Sequence, residues 1–118
     1  MTIRIGIAGY GNLGRGVELA IAKNPDMELA AVFTRRDPSS LKTVTGATTA
    51  SMDDLEAWKD RIDVMILCGG SATDLPVQTP KLAAMFNVVD SFDTHAHIPE
   101  HFAEVDAAAG AAGNVAVI

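Results

Sequence analysis

Hydrophobic residues along this chain fall into short runs separated by longer stretches with helical spacing. Five runs are rich in β-branched residues and bounded by Gly, Asp or Asn, which is typical of β-strands. The predicted strands are residues 3–8, 29–33, 64–68, 87–90 and 115–118, with a weaker sixth at 44–49. The three strongest runs are apolar at nearly every position, which indicates strands covered on both faces of a parallel sheet.

Four helices are predicted between these strands, over residues 13–23, 53–59, 76–85 and 99–112. In the first helix, Leu13, Val17, Ala20 and Ile21 share one face, which is the pattern of a helix packed on a sheet. Strand and helix alternate along the whole chain. This alternation predicts an α/β fold: a single domain in which a Rossmann-type, doubly wound parallel sheet lies between two helical layers.

Composition narrows the class of protein further. The chain has 118 residues, 48% of them hydrophobic, which fits one globular domain. Nine basic residues stand against 15 acidic ones, a net charge of −6, which argues against a nucleic-acid partner or a basic membrane-binding patch. No apolar stretch approaches the roughly 20 residues of a membrane span. The single cysteine, Cys68, cannot form an internal disulfide, so we expect a reducing, cytoplasmic location.

The first predicted strand leads into a glycine-rich loop of the G-x-G-x-x-G type. A dinucleotide site needs the first glycine for the tight turn, the second for close approach of the pyrophosphate, and the third for close helix packing. The helix that follows offers free N–H groups to phosphate. The alternative is a glycine-rich turn without a ligand, but the strand–loop–helix context favours a dinucleotide. The candidate residues are Gly9, Tyr10, Gly11, Asn12, Leu13 and Gly14.

The end of the second strand bears on the choice between NAD and NADP. NAD-preferring folds usually place a carboxylate there for the ribose hydroxyls. This chain has Thr34, Arg35 and Arg36 instead, and paired guanidinium groups suit the 2′-phosphate of NADP. The alternative is a solvated basic turn, and Asp37 would weaken the NADP hypothesis if it faced the ribose. We predict NADP.

Two later loops follow strands at the same predicted edge of the sheet. The first offers glycines and hydroxyls to a ligand, although Thr73 or Asp74 could equally cap the next helix. Its candidates are Cys68, Gly69, Gly70, Ser71 and Thr73. We expect Cys68 to be a small buried residue and not a nucleophile.

The second of these loops contains Ser91, Phe92 and Asp93, followed by His95 and His97. Asp93 could pair with a cationic substrate amine, while Asp90 is expected to be a structural group at the strand end. His-x-His without a third ligand is a weak metal signal, so no metal site is predicted.

Four segments together resemble meso-diaminopimelate dehydrogenase. They are Gly9 to Arg15, Phe33 to Arg36, Cys68 to Asp74, and Val89 to His95, and the resemblance runs through all 118 residues. It implies NADP-dependent oxidative deamination of the D-configured centre of meso-2,6-diaminopimelate to L-2-amino-6-oxopimelate and ammonia, a step of lysine biosynthesis. Thr34 stands where the family would have Ser, which keeps the hydroxyl.

The resemblance also implies roles for individual residues. Tyr10 to Leu13 would hold the pyrophosphate, and Thr34 to Arg36 the 2′-phosphate. Cys68 to Ser71 and Ser91 to Asp93 would line the cofactor cleft, and Asp93 would contact the reacting amine. No general base is assigned.

The family is much longer than this chain. We therefore expect residues 1–118 to be its cofactor-binding part, inactive alone, with a substrate-binding and dimerisation domain after 118 and a homodimeric complete enzyme. Two alternatives stay open: another NADP-linked reductase, of the dihydrodipicolinate reductase or homoserine dehydrogenase type, or a non-catalytic NADP-binding sensor.

Overall fold

A computed structural model describes all 118 residues, and its centre is one parallel sheet of six strands. The strands lie in the order β3-β2-β1-β4-β5-β6, so the chain starts in the middle and winds outward in both directions. This order is that of a Rossmann fold. The strands are β1 (Ile3–Ala8), β2 (Met27–Thr34), β3 (Thr49–Ser51), β4 (Val64–Leu67), β5 (Asn87–Asp90) and β6 (Ala116–Val117).

Helices cover both faces of the sheet. They are α1 (Asn12–Ala22), α2 (Leu75–Ala83) and α3 (Ile98–Ala112), joined by 3₁₀ segments at Pro38–Ser40, Met52–Trp58 and His95–His97. The predicted helix at 53–59 is thus a 3₁₀ segment. Gly113 follows α3 with φ +73°, a left-handed conformation that ends a helix and favours glycine. No helix combines the length and apolarity that crossing a membrane requires.

The core is divided by the sheet because successive strand residues point to opposite faces. One cluster of 17 buried residues includes Phe33, Met65 and Leu82, and the edge of Phe33 meets Trp58 at 5.6 Å between ring centroids. The smaller cluster, beneath α1, consists of Ile5, Ile7, Ile21 and Val32. The three-layer α/β sheet predicted from the sequence is therefore confirmed.

Two further details of the sequence prediction are wrong. The weak strand at 44–49 is mostly loop, and the strand is Thr49–Ser51, which pairs with the end of β2. In α1, Leu13 and Ala20 are exposed, whereas Glu18 is buried. The apolar positions of α1 alone could not show this, because Glu18 is buried by contacts with the loop before β3.

Candidate functional site

The carboxyl ends of β1, β2 and β4 surround a cavity of about 320 Å³ at one edge of the sheet. In doubly wound sheets, ligands bind at this edge, where the chain winds in opposite directions on the two sides. Three of the predicted loops meet here, since β1 lies between β2 and β4. The lining residues are Gly9, Tyr10, Gly11, Phe33, Thr34, Arg35, Arg36, Met52, Cys68, Gly69, Gly70, Asp74 and Gln78.

The glycine loop forms the floor of this cavity. Gly9 has φ +97°, which allows the sharp turn out of β1. A Cβ on Gly14 would lie 2.5 Å from the carbonyl oxygen of Gly9, so only glycine lets α1 come this close to the strand. A Cβ on Gly11 would meet nothing within 4 Å. The space above Gly11 is thus open to a ligand.

The start of α1 faces the same space with unpaired N–H groups. The first helical hydrogen bond runs from the Arg15 amide to the carbonyl of Gly11, and no side chain caps the helix. The amides of Asn12, Leu13 and Gly14 therefore have no partner within the helix. Free N–H groups and the positive end of the helix dipole are what a pyrophosphate requires.

The end of β2 brings both arginines to the cavity. The amide of Arg36 donates to the Thr34 hydroxyl oxygen at 3.1 Å, and the Arg36 guanidinium donates to the carbonyl of Tyr10 at 3.4 Å. Arg36 thus lies beside the glycine loop. Thr34 is buried, and its hydroxyl proton is left free to donate to a ligand.

Arg35 is paired with a carboxylate from across the cavity. Its guanidinium lies 3.0 Å from Asp74, which precedes α2, and Asp74 also accepts a hydrogen bond from the Gly70 amide at 3.0 Å. Asp74 stands at the N-terminus of α2 without capping it, so its use as a helix cap is not realised. This ion pair has no signal in the sequence, because nothing in either segment shows that the two loops face each other.

Asp37, the residue after the two arginines, does not line the cavity. Its carboxylate accepts hydrogen bonds from the amide and hydroxyl of Ser39, and these bonds lower its pKa. Asp37 therefore begins the 3₁₀ segment Pro38–Ser40 and does not line the cavity. The basic character of this corner comes from Arg35 and Arg36, opposed only by Asp74.

Cys68 lies half-buried in the loop after β4. Burial raises its pKa to about 11, so the thiol stays protonated at neutral pH. A protonated thiol is a poor nucleophile. This agrees with the expectation that Cys68 is a small packing residue of the cavity wall.

The loop after β5 forms the next wall along the same edge. The Ser91 hydroxyl donates to the carbonyl of Leu67, and the Asp93 amide donates to the Ser71 hydroxyl oxygen at 2.8 Å. Ser71 and Phe92 line a second cavity, of about 440 Å³, between this loop and α3. The Asp93 carboxylate is exposed and makes no hydrogen bond within the chain.

Four further candidates do not line the first cavity: Asn12, Leu13, Gly14 and Thr73. Asn12 and Leu13 are exposed at the start of α1, and Thr73 lines an adjacent hollow with Arg35 and Asp74. No three His, Cys, Asp or Glu side chains converge as metal ligands anywhere in the chain.

Two lining residues had no signal in the sequence. Met52 reaches the cavity from the end of β3, and Gln78 from α2. The amide oxygen of Gln78 is buried without a hydrogen-bond partner. Both residues lie on segments whose approach to the cavity depends on the tertiary fold.

The strand order, the glycine loop and the uncapped helix start define a dinucleotide-binding domain of the Rossmann class. By sequence the chain is related, along 98% of its length, to the meso-diaminopimelate D-dehydrogenases. It is 66% identical over 116 residues to the enzyme of Lysinibacillus sphaericus. It spans only 36% of that relative's length. No protein-family model matches the chain.

Solved structures agree with this relationship. The diaminopimelate dehydrogenase of C. glutamicum in complex with DAP is 49% identical and superposes with a TM-score of 0.91 over 98% of this chain and 35% of its own. An engineered D-amino acid dehydrogenase bound to NADP⁺ is 47% identical, with a TM-score of 0.92 and the same coverage.

A homoserine dehydrogenase of S. aureus shares the fold at a TM-score of 0.76 with 16% identity, covering 99% of this chain and 32% of its own. At that identity only the fold is comparable, so the homoserine dehydrogenase alternative is not favoured over the diaminopimelate dehydrogenase resemblance.

Proposed function

We propose that this chain binds NADP(H) and serves as the cofactor-binding part of a meso-diaminopimelate dehydrogenase. The observation that best supports NADP is the corner at the end of β2. There Arg36 and Thr34 lie beside the glycine loop, and β2 ends without a carboxylate that would bind the ribose hydroxyls of NAD. The names of the relatives support the reaction, oxidative deamination of the D-centre of meso-2,6-diaminopimelate. Because the chain spans about a third of their length, the activity belongs to the complete enzyme.

The residues of the cavity fit the cofactor. The open space above Gly11 and the free amides at the start of α1 would receive the pyrophosphate. Arg36 and the Thr34 hydroxyl would bind the 2′-phosphate through charge-assisted hydrogen bonds. The exposed guanidinium of Arg35, held by Asp74, would lie against the adenine. Gly69, Gly70 and Cys68 would form the wall opposite the β2 end.

Bound NADP⁺ supplies the hydride acceptor for the substrate α-carbon, and the protein positions the reacting groups. Asp93 would orient the substrate amine, since its carboxylate is exposed and unpartnered while its backbone amide is held by the Ser71 hydroxyl oxygen. No residue of this chain is assigned as a general base. We expect the remaining substrate contacts, the dimer interface and the catalytic base from the two thirds of the relatives that this chain does not match.

A homodimeric complete enzyme and a cytoplasmic location belong to the same proposal. The first rests on the resemblance alone. The second rests on the single cysteine and on the biosynthetic role of the relatives. The homodimeric state is tested by size-exclusion chromatography of a complete relative in which this domain replaces the corresponding one.

The cofactor assignment is tested by titrating NADPH and NADH into the chain. Replacement Arg36→Ala should weaken NADPH binding about 10- to 100-fold, since a hydrogen bond to a charged group is worth about 1.5–3 kcal/mol, and should change NADH binding little. Lys23→Ala is the matched control, because Lys23 is an exposed cation beyond the opposite end of α1. Tighter binding of NADH than NADPH by the unmodified chain, or binding of neither, would contradict the proposal.

A further inference from the structure

Asp90 and His101 form a buried pair at the end of β5. The imidazole Nε2 of His101 lies 2.7 Å from Oδ2 of Asp90, and the Thr79 hydroxyl donates to the same oxygen at 2.7 Å. The two side chains are 3% and 0% exposed. One carboxylate thus joins β5, α2 and α3.

This pair also fixes the loop that carries Asp93. The amide of Phe92 donates to Oδ1 of Asp90, and the Phe92 ring stacks on the His101 imidazole at 4.0 Å between centroids and 13° between planes. Phe92 is therefore held at its backbone by Asp90 and at its side chain by His101. The backbone of the neighbouring residue, Asp93, is positioned by its peptide link to Phe92 and by the hydrogen bond from its amide to the Ser71 hydroxyl oxygen.

A buried polar pair of this kind is not needed for stability alone. Burying two such groups costs desolvation that their attraction only roughly offsets, and an apolar replacement is often as stable. The pair does, however, fix the Asp90 carboxylate, and with it the Phe92 amide of the loop, because each partner must meet the other at hydrogen-bond distance. The loop held in this way lies beyond the end of β5, which is three strands along the sheet from β2 and the arginines that follow it.

Because the β2 corner and the loop after β5 lie at different places along the sheet edge, they would contact different halves of a bound dinucleotide. The β2 corner would hold the adenosine half, so the loops after β4 and β5 face the nicotinamide half, since the cofactor spans the crevice of the sheet. We propose that His101, acting through Asp90, is a positioning residue that sets the Ser91–Asp93 loop against the nicotinamide and the substrate amine. The proposal rests on the function proposed above and adds two buried residues that act through the loop they hold.

The test compares two ligands on the 118-residue chain: NADPH, and 2′-phospho-ADP-ribose, which lacks the nicotinamide. His101→Phe keeps a ring to stack on Phe92 and removes the hydrogen bond to Asp90. We expect it to weaken NADPH binding about tenfold while leaving binding of 2′-phospho-ADP-ribose within a factor of two. His101→Gln, whose amide can donate to Asp90, should recover most of the lost affinity.

A merely structural role would weaken both ligands equally, and that result would overturn the inference, as would unchanged NADPH binding in His101→Phe. Should His101→Phe fail to fold, Thr79→Val removes only the second hydrogen bond to Asp90 and should show a smaller loss specific to NADPH; an equal loss for both ligands, or none, again refutes the inference. Failure of the unmodified chain to bind either ligand refutes the proposed function itself, which separates the two failures.

Discussion

Gly11 and Gly14 belong to the same glycine motif, but Gly11 precedes α1 and Gly14 lies within it, and the structure gives them different physical roles. Gly14 is buried and in contact with the carbonyl of Gly9, whereas Gly11 is exposed and faces open space. Gly14 is therefore required by packing within the chain. Gly11 is required only when a ligand occupies the cavity.

The two alanine replacements should consequently behave differently. Gly14→Ala should lower the free energy of unfolding by about 1–3 kcal/mol, because the added methyl overpacks the helix against the strand. Gly11→Ala should leave stability nearly unchanged and weaken NADPH binding at least tenfold. Urea unfolding and NADPH titration of both variants check this. Equal stability of the two variants, or full NADPH affinity in Gly11→Ala, would contradict the assigned roles.

Asp74 has a different role in the structure from the one that its position in the sequence allows. The sequence offered it as a helix cap, but its carboxylate accepts from Gly70 and pairs with Arg35. Only the approach of two loops from different strands decides between these uses. Local sequence cannot show that approach.

At the scale of elements, Glu18 ties helix α1 to the loop between the Pro38–Ser40 segment and β3. Its buried carboxylate accepts hydrogen bonds from the Tyr10 hydroxyl and from the amides of Val44 and Thr45. Desolvation acts to raise the pKa of Glu18, but the hydrogen bonds from Thr45, Tyr10 and Val44 together outweigh it, and the pKa is lowered from 4.5. The loop residue Tyr10 is thereby fixed beside the candidate phosphate site.

This shift predicts the pH dependence of stability. Because the folded-state pKa lies below 4.5, the contribution of Glu18 is complete above that pH and is lost as the pH falls through the lower, folded-state value. Glu18→Gln should cost about 1–3 kcal/mol at neutral pH and should flatten the loss of stability in acid. Thermal unfolding between pH 3 and pH 7 measures both effects, with the exposed Glu56→Gln as control. A curve parallel to that of the unmodified chain would refute the role of Glu18.

At the scale of the whole molecule, ligand binding and folding are coupled. The candidate cofactor cavity is built from loops after β1, β2 and β4, so it exists only when the central strands are assembled. A ligand that binds only the folded chain therefore stabilises the entire domain by mass action.

NADPH should accordingly raise the melting temperature more than NADH does at the same concentration. At a free concentration 100 times its Kd, a ligand adds about 2.7 kcal/mol, which corresponds to roughly 10 °C for a domain of this size. Differential scanning fluorimetry measures the shift, and Arg36→Ala should remove the difference between the cofactors. Equal shifts for NADPH and NADH in the unmodified chain would contradict the role given to the β2 corner.

Four features could be predicted from the amino-acid sequence: the alternation of strand and helix, the parallel sheet, the glycine loop and the basic corner after β2. These features depend on side-chain periodicity and on residues adjacent in the chain, so they can be recognised locally. The short strand β3 escaped recognition because three residues carry too little periodicity.

Which distant side chains meet depends on the folded arrangement of the elements. The Arg35–Asp74 pair, the Glu18 contacts with Thr45, and the Asp90–His101 pair each join segments that lie on different elements. Such contacts depend on crossover direction and helix orientation, which leave no mark in the neighbouring residues. The physical reason is that a buried polar group needs a hydrogen-bond partner, and the fold determines which side chain or backbone group comes close enough to supply it.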